Sequence, residues 1–486
     1  MRVSALSRSS AFKVSVSDIF RHRYLSKISF NLSPEKSNSS SPSFHPLSLV
    51  DPGISLQDIS SSLSIDVHNI VDVVPATDSQ VWFLTQWSSS LFPFQLTGQL
   101  DLTRLNFALR RLVEKHQILR TVFCEHHGRM LQVVLRQGYS HVEHIRTHRP
   151  LESVLRDFSD KERTRSSLLS QPFKLMVVSS SCTEHMLVLR LSHAQYDGYS
   201  LFPLLQELSL AYNDHSSSSS TVGSFSDYVY FSQQQRSTES KEFWEEQLHN
   251  SSITMIPFPP SGTNDGLISI REHTSIDLPT LPLDTTYPIL VNAAIALVLS
   301  TLTNSDDVLF GLVVNTRTSP MQGIDAIVGP CINILPLRVL LHESEDAKDL
   351  CTYVREKYAK ISQYCHLDLM RVAALNTSGP NSDGRLPYGC VVNHISADEG
   401  HEPLSLKGLS CSALQSAAAI NLPNQILIRS VTQGGKLRIE VLSSVNAKLR
   451  ANMSDFAQSI ATRVLHVVRL FSEAPESTLS SMKLRP

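Results

Sequence analysis

Apolar positions along this chain alternate between two spacings. The stretch from Met186 to Leu191 is a short apolar run broken only by Arg190, and it reads as a buried strand. It stops at Ser192-His193. After Asp197-Gly198 a second run begins, in which Leu201, Leu204, Leu205, Leu208 and Leu210 have helical spacing. Residues 192–200 are therefore a strand-to-helix loop holding a histidine, an acid and a glycine. Strand ends on a rigid sheet are common positions for functional side chains.

The same reading extends in both directions. Val73 and Val74 before Pro75 suit an extended approach, and Thr77 caps a helix carrying Val81, Trp82, Phe83 and Leu84. Trp82 and Trp87 are expected in the core. Phe92 to Leu96 reads as a strand, and Asp101 caps a helix with Leu102, Leu105, Leu109 and Leu112 on one face. Leu119 to Cys124 and Met130 to Leu135 flank the turn His127-Gly128 as strands. In the second half a strand near Leu267 to Ile276 precedes an apolar helix from Tyr287 to Leu302. Strands follow at Val308 to Val314 and Ile332 to Val339, then a helix at Ala347 to Tyr364 and a strand at Gly389 to His394. Ile426 to Ser430 and Lys436 to Leu442 form a hairpin about Gly434-Gly435, and a last helix spans Asn446 to Phe471. Periodicity alone gives an α/β or α+β chain in two lobes.

Composition narrows the class. The chain has 486 residues, is 41% hydrophobic and 18% charged, and carries a net charge of −2, so no basic field points to nucleic acid or an anionic membrane. No apolar stretch reaches the roughly 20 residues that cross a bilayer. The 19 histidines are scattered and fall into no metal-ligand spacing, so no metal is expected. The 7 cysteines lack a Cys-x-x-Cys pair and fit ordinary buried thiols in a reducing interior, which points to the cytoplasm. Residues 1–48 are Ser-rich with Arg2, Arg8, Lys13, Arg21, Arg23 and Lys27. They read as a disordered extension, with a mitochondrial transit peptide as the alternative. Residues 49–70 form a lead-in, residues 71–256 a first lobe, residues 257–475 a second and residues 476–486 a tail. The Pro- and Gly-rich stretch at the start of the second lobe is the boundary.

A histidine with an aspartate four residues on works in either of two ways. Asp197 holds the imidazole of His193 and fixes its tautomer, so that one ring nitrogen acts as a base. Alternatively, Asp197 turns inward to a cation and fixes the loop that aims His193. Gly198 permits a positive φ or close approach of a ligand. The chain has no Gly-x-Ser-x-Gly elbow, Walker loop or Gly-x-Gly-x-x-Gly, which disfavours α/β-hydrolases, kinases and NAD enzymes.

Ser192-His193-Ala194-Gln195-Tyr196-Asp197-Gly198 resembles the His-His-x-x-x-Asp-Gly signature of condensation domains in nonribosomal peptide synthetases, and more broadly the acyltransferases of the chloramphenicol-acetyltransferase fold. Residues Val71 to Gln80, Lys115 to Phe123 and Phe310 to Arg317, with Gly329 to Asn333 and Leu335 to Arg338, are similar to further motifs of that family in the same order. The resemblance covers residues 66–475. Ser192 replaces the first histidine, as in the terminal condensation domains of fungal synthetases, which often cyclise or form esters. Thr316 stands where the family has a glycine before Arg317.

The resemblance implies a mixed α/β fold of two chloramphenicol-acetyltransferase-like lobes, a V-shaped pseudo-dimer with the active site in the channel between them. It implies direct acyl transfer: His193 takes or positions the proton of an amine or hydroxyl acceptor, which attacks a thioester carbonyl. The Gly198 N–H, or less well Ser200, stabilises the oxyanion. It also implies that Arg120, between apolar neighbours, is the cation paired with a structural Asp197. Asn315, Arg317 and Asn333 either line the channel, with Ser192, or make ordinary hydrogen bonds at strand ends. No cofactor is expected to be bound. The acyl group arrives on the phosphopantetheine arm of a carrier protein or synthetase in trans, or on coenzyme A, because no carrier or adenylation motif is present. The expected protein is a freestanding acyltransferase forming an ester or amide, or cyclising. The other class is a catalytically silent relative that docks a partner synthetase; an intact His193 and Asp197 favour the enzyme.

Overall fold

The computed structural model describes residues 12–13, 33–34, 44–87, 89–164, 173–214, 223–258, 267–282, 284–319, 321–375, 388–396, 404–416, 420–422 and 424–482. The first lobe runs through α1 (Leu56–Leu63), β1 (Ile70–Pro75), α2 (Asp78–Gln86), β2 (Ser90–Gly98), α3 (Leu102–Lys115), β3 (Thr121–His126), β4 (Arg129–Leu135) and β5 (Glu143–Arg146). It continues through α4 (Leu151–Thr164), β6 (Lys174–Ser179), β7 (Glu184–Leu191), α5 (Leu201–Asp214), α6 (Phe225–Gln234) and α7 (Thr238–Leu248). The second comprises β8 (Leu267–Asp277), α8 (Tyr287–Thr303), β9 (Asp307–Asn315), β10 (Ile332–Leu340), α9 (Ala347–Gln363) and α10 (Leu369–Ala374). Then come β11 (Cys390–Ser396), β12 (Leu409–Ala413), β13 (Ile426–Gln433), β14 (Lys436–Asn446), α11 (Arg450–Glu473) and α12 (Leu479–Met482).

Local chemistry explains the starts of these elements. Thr77 and Gln80 form a reciprocal capping box on α2, and the Asp101 carboxylate accepts from the Arg104 N–H to cap α3. Helix α3 buries Leu105, Ala108, Leu109, Leu112 and Val113, the face its spacing predicts. Helix α8 is buried from Ile289 to Ser300, as its uniform apolarity requires. On α5 the expected face holds for Leu204, Leu205 and Leu208, but Leu210 is exposed, and Ala211 and Tyr212 continue the buried stripe. The expected strand from Leu119 begins two residues late, because Gln117–Arg120 is a 3-10 turn. Trp82 is buried as expected, whereas Trp87 is partly exposed and lies beside the loop after β7.

A five-stranded sheet in the order β12-β2-β7-β6-β5 carries the loop, and a six-stranded sheet in the order β8-β14-β13-β11-β9-β10 forms the second lobe. A three-stranded sheet, β1-β4-β3, packs with α1. Strand β7 is central and nearly wholly buried, so its end is held rigidly. The polar break at Arg190 is met by Glu162 of α4 at 2.8 Å, an ion pair on a helix whose pattern gives little warning of it. Most of residues 1–48 lie outside the described residues, but the Leu47 N–H donates to the buried Asp72 carboxylate at 2.7 Å. No helix of the described residues is long and apolar enough to cross a membrane.

Strand β12 belongs by sequence to the second half, yet it pairs antiparallel with β2 of the first-lobe sheet, from Leu409↔Gly98 to Ala413↔Phe94. The Asn213 side chain accepts from the Lys407 N–H and donates to the Ser405 carbonyl, which fixes the approach to β12. Gly98 sits at φ +131°, and a Cβ there would lie 2.5 Å from the Gly408 carbonyl oxygen. Gly98→Ala is therefore expected to lower stability by about 1–3 kcal/mol, read from chemical denaturation, because neither φ nor the backbone oxygen can yield without moving β12.

Candidate active site

The loop after β7 is held from several sides. The Gln80 side-chain amide, fully buried on α2, donates to the Ala194 carbonyl and to Gln132, each at 2.9 Å. The Gln195 amide donates to the Ile118 carbonyl at 2.8 Å, and its backbone N–H donates to Ser192. Ser192 accepts from the Ala194 N–H, so the residue in place of the usual first histidine closes the turn. The Tyr196 hydroxyl donates to Ser90 at 2.7 Å. These contacts leave His193 little freedom of backbone.

Asp197 faces the second lobe. Its carboxylate accepts from Arg317 Nη2 at 2.8 and 3.1 Å, from the Cys331 N–H at 3.0 Å and from the Ser200 N–H at 2.8 Å. Both charged side chains are nearly shut off from solvent, at 2% and 4% exposure. Arg317 also donates to the carbonyls of Ile324, Ile327 and Gly329, so one guanidinium gathers the 324–329 segment. Its charge lies 4.9 Å from the Tyr199 ring centroid. Arg120 is thus not the partner of Asp197. Its guanidinium donates to the Leu135 carbonyl and forms no ion pair among the described residues. The Asp197 carboxylate is taken up by Arg317 and the Cys331 N–H, at the ends of β9 and β10, while the Arg120 guanidinium turns to the end of β4. Of the two roles open to Asp197, the inward cation pair is the one adopted.

His193 stacks on Phe83 at 4.0 Å between centroids and on Tyr196 at 4.5 Å, and meets the edge of Trp87 at 5.2 Å. Its Nδ1 is buried and meets no partner at hydrogen-bond geometry, while the residue as a whole is half-buried. Burial among these rings pushes the imidazole down to about 4; the carbonyls of His193 and Tyr196 and the charge of Asp197 oppose the shift, and Arg429 adds to it. The ring is therefore neutral near pH 7, the state a base requires.

The other candidate residues divide. Gly198 is exposed, is not in the left-handed region, and a Cβ there would meet nothing within 4 Å. Of its two expected uses the structure leaves close approach, and its N–H makes no hydrogen bond among the described residues. The Ser200 hydroxyl is buried and turned to the Asp197 backbone, accepting its N–H and facing its carbonyl. Asn315 caps the turn at Arg317, and Thr316 bonds the Tyr228 hydroxyl at 2.7 Å. Asn333 donates to the carbonyls of Cys365 and Leu367. Asn315, Arg317 and Asn333 are in these contacts structural. Beside Arg317, burial pushes the Cys331 thiol up to about 12, which keeps it protonated. Not all thiols are buried, since Cys182 is exposed. Among the described residues no group of His, Cys, Asp or Glu is placed to hold a metal. Sequence reasoning missed Gln80 as a support of the loop and Arg429 as its charged neighbour. The first sat within a recognised motif, and the second had no local signal.

The chain and its fold are similar to those of known proteins. The family model described as Condensation domain matches residues 70–484. The chain is 33% identical over 490 residues to the nonribosomal peptide synthetase penN of Penicillium thymicola, covering 99% of this chain and 17% of that protein. It is 30% identical over 494 residues to the nonribosomal peptide synthetase fmqA of Aspergillus fumigatus, covering 99% of this chain and 12% of that protein. The chain thus spans under a fifth of these relatives' length. Among solved structures, "The crystal structure of CT" matches with a TM-score of 0.78 at 25% identity, over 90% of this chain and 99% of that one. The condensation domain from the Monacolin K polyketide synthase MokA matches with a TM-score of 0.65 at 15% identity, over 85% of this chain and 100% of that one, which is a likeness of fold. These matches bring the two-lobed chloramphenicol-acetyltransferase-like architecture with them.

Asp197→Ala leaves Arg317 buried without its counter-charge and is expected to destabilise the protein by about 3–5 kcal/mol in urea denaturation. Arg120→Ala should leave the inter-lobe pair intact and cost far less. His193 is expected to titrate near 4, so its imidazole proton signals, identified by their loss in His193→Ala, should stay at the neutral position when pH falls from 8 to 6. A midpoint near 6.5 would contradict the desolvated ring.

Proposed function

The chain belongs to the condensation-domain family, and from that premise we propose that it joins an acyl or peptidyl thioester on a carrier's phosphopantetheine arm to an amine or hydroxyl, in assembly of a nonribosomal-peptide-type product. The observation that carries this reading is the half-buried His193 ring, held between Phe83, Tyr196 and Trp87 on the same loop as the exposed Gly198, whose N–H makes no hydrogen bond among the described residues and beside which there is open space. The acceptor's N–H or O–H gives its proton to Nε2 as its heteroatom attacks the carbonyl carbon. The Gly198 N–H meets the developing oxyanion. The new C–N or C–O bond forms, the C–S bond breaks, and the departing thiolate recovers the proton. The base contributes about 10²–10⁴-fold, and alignment of the two reactants contributes the remainder. Asp197 enters only by holding the loop. Ser192 in place of the first histidine removes no base, because the base is the second position, and the likeness to fungal terminal domains favours a hydroxyl acceptor or cyclisation. The reaction site belongs to the channel between the lobes, and coenzyme A is the second donor to be tried.

The test is intact-mass spectrometry of acyl carrier proteins loaded with acyl thioesters, incubated with the protein and a pool of amines and alcohols, with acyl-coenzyme A as a second donor. Acceptor-dependent unloading is expected, and His193→Ala should lower its rate about 10²–10⁴-fold while melting with the parent. Stable carrier binding without unloading would replace this reading by that of a docking protein.

A further inference from the structure

The inner side of the second-lobe sheet carries charge that the reaction as described does not use. Cross-strand register puts Arg271 opposite Leu442, Glu440 opposite both His273 and Arg429, and Arg438 opposite Val431. All of these lie on one face. The other face holds α8 and α11, since Glu272 meets Ser454 of α11 and His394 meets Asn292 of α8. On the face opposite α8 and α11 the buried Glu440 carboxylate receives Arg429 at 2.6 Å, Arg271 at 3.1 Å and Arg438 at 3.1 Å. Three guanidinium groups thus share one carboxylate and leave two positive charges unmatched within the cluster. Arg429 has 19% side-chain exposure, and its Nε is buried with no hydrogen-bond partner. Charges taken from water need a counter-charge, and a guanidinium presents its N–H groups in a fork that fits a carboxylate.

The position of this cluster restricts what the anion is. Ser269, on the same face as Arg271, donates to the Ile420 carbonyl; Ile420 bridges to Trp87; and Trp87 meets the His193 ring. The charge of Arg429 is felt at both His193 and Tyr196. The anion therefore sits near the reacting centre, whereas a phosphopantetheine phosphate lies at the far end of the arm from its thioester. The donor's own carboxyl is consumed as the thioester, and a carrier-bound acceptor has lost its carboxylate in the same way. A free acid acceptor keeps it. Resting on the reading of the channel as the substrate site, we propose that the acceptor is a free amino or hydroxy acid, its nucleophile at His193 and its carboxylate at Arg429 and Arg271.

Ultrafiltration mass spectrometry tests this without turnover. The 486-residue chain is incubated with a pool of free amino and 2-hydroxy acids, with the matching pool of their primary amides, and with 4′-phosphopantetheine. At least one free acid should be retained, its amide at least tenfold less, and Arg429→Gln should lower retention of the acid at least tenfold. Arg271→Gln, at the half-exposed edge of the cluster, should weaken it in the same direction and covers the case in which Arg429→Gln does not fold. Equal retention of acid and amide, or no retained acid, overturns the proposal. Loss of 4′-phosphopantetheine in place of the acid in Arg429→Gln assigns the cluster to the arm and also overturns it. Because carrier unloading is measured separately, an active enzyme that retains no free acid sinks only this assignment, and a silent protein that retains one sinks only the acyl-transfer reading.

Discussion

The ion pair between Asp197 and Arg317 is the constraint on which the site depends. One carboxylate ends the loop that carries His193, and the guanidinium it meets ties together the carbonyls of Ile324, Ile327 and Gly329 in the other lobe. A buried pair of this kind contributes little net stability over an apolar substitute, yet each half is expensive to leave alone. Its value is positional. With Ser200 and Cys331 N–H groups on the same carboxylate, the pair admits a single arrangement of the loop relative to β9 and β10. His193 stands four residues before that anchor and two residues before Gln195, whose amide is pinned to Ile118. The imidazole is aimed because both flanks of its loop are fixed to different parts of the molecule.

Much of this was legible in the sequence, and the limits have physical reasons. The strand before His193 and the helix after Asp197 follow from apolar spacing, as do α3 and α8, whose buried faces match their patterns. The family signature located the loop. It did not identify the partner of Asp197, because Arg120 and Arg317 are both arginines among apolar neighbours, and only the three-dimensional direction of the Asp197 side chain separates them. Strand β12 was missed for a related reason: Leu409–Ala413 is short and half exposed, and its partner β2 lies some three hundred residues away in the chain. The arginines around Glu440 give no local pattern at all. Each is one cation on a separate strand or position, and only the register of β8, β14 and β13 gathers them.

The molecule thus holds two arginine systems, and they differ in how their charge is met. Arg317 has its own carboxylate at short range, and most of its donors are spent on protein oxygens; it stabilises a geometry. The Glu440 cluster has one carboxylate for three cations, and the charge of Arg429 helps to hold the His193 imidazole below its usual range. A fold selected for stability alone gains nothing from the surplus, since like charges at close range repel and partly buried ones lose hydration. Burial already keeps His193 neutral, so the cluster is not required to set its protonation. An anion arriving with the substrate resolves both costs at once. It matches the surplus charge and, by being held at one end, restricts where the nucleophile at its other end can lie. In a reaction whose rate rests on alignment more than on proton transfer, that restriction is where an unmatched charge has its largest effect.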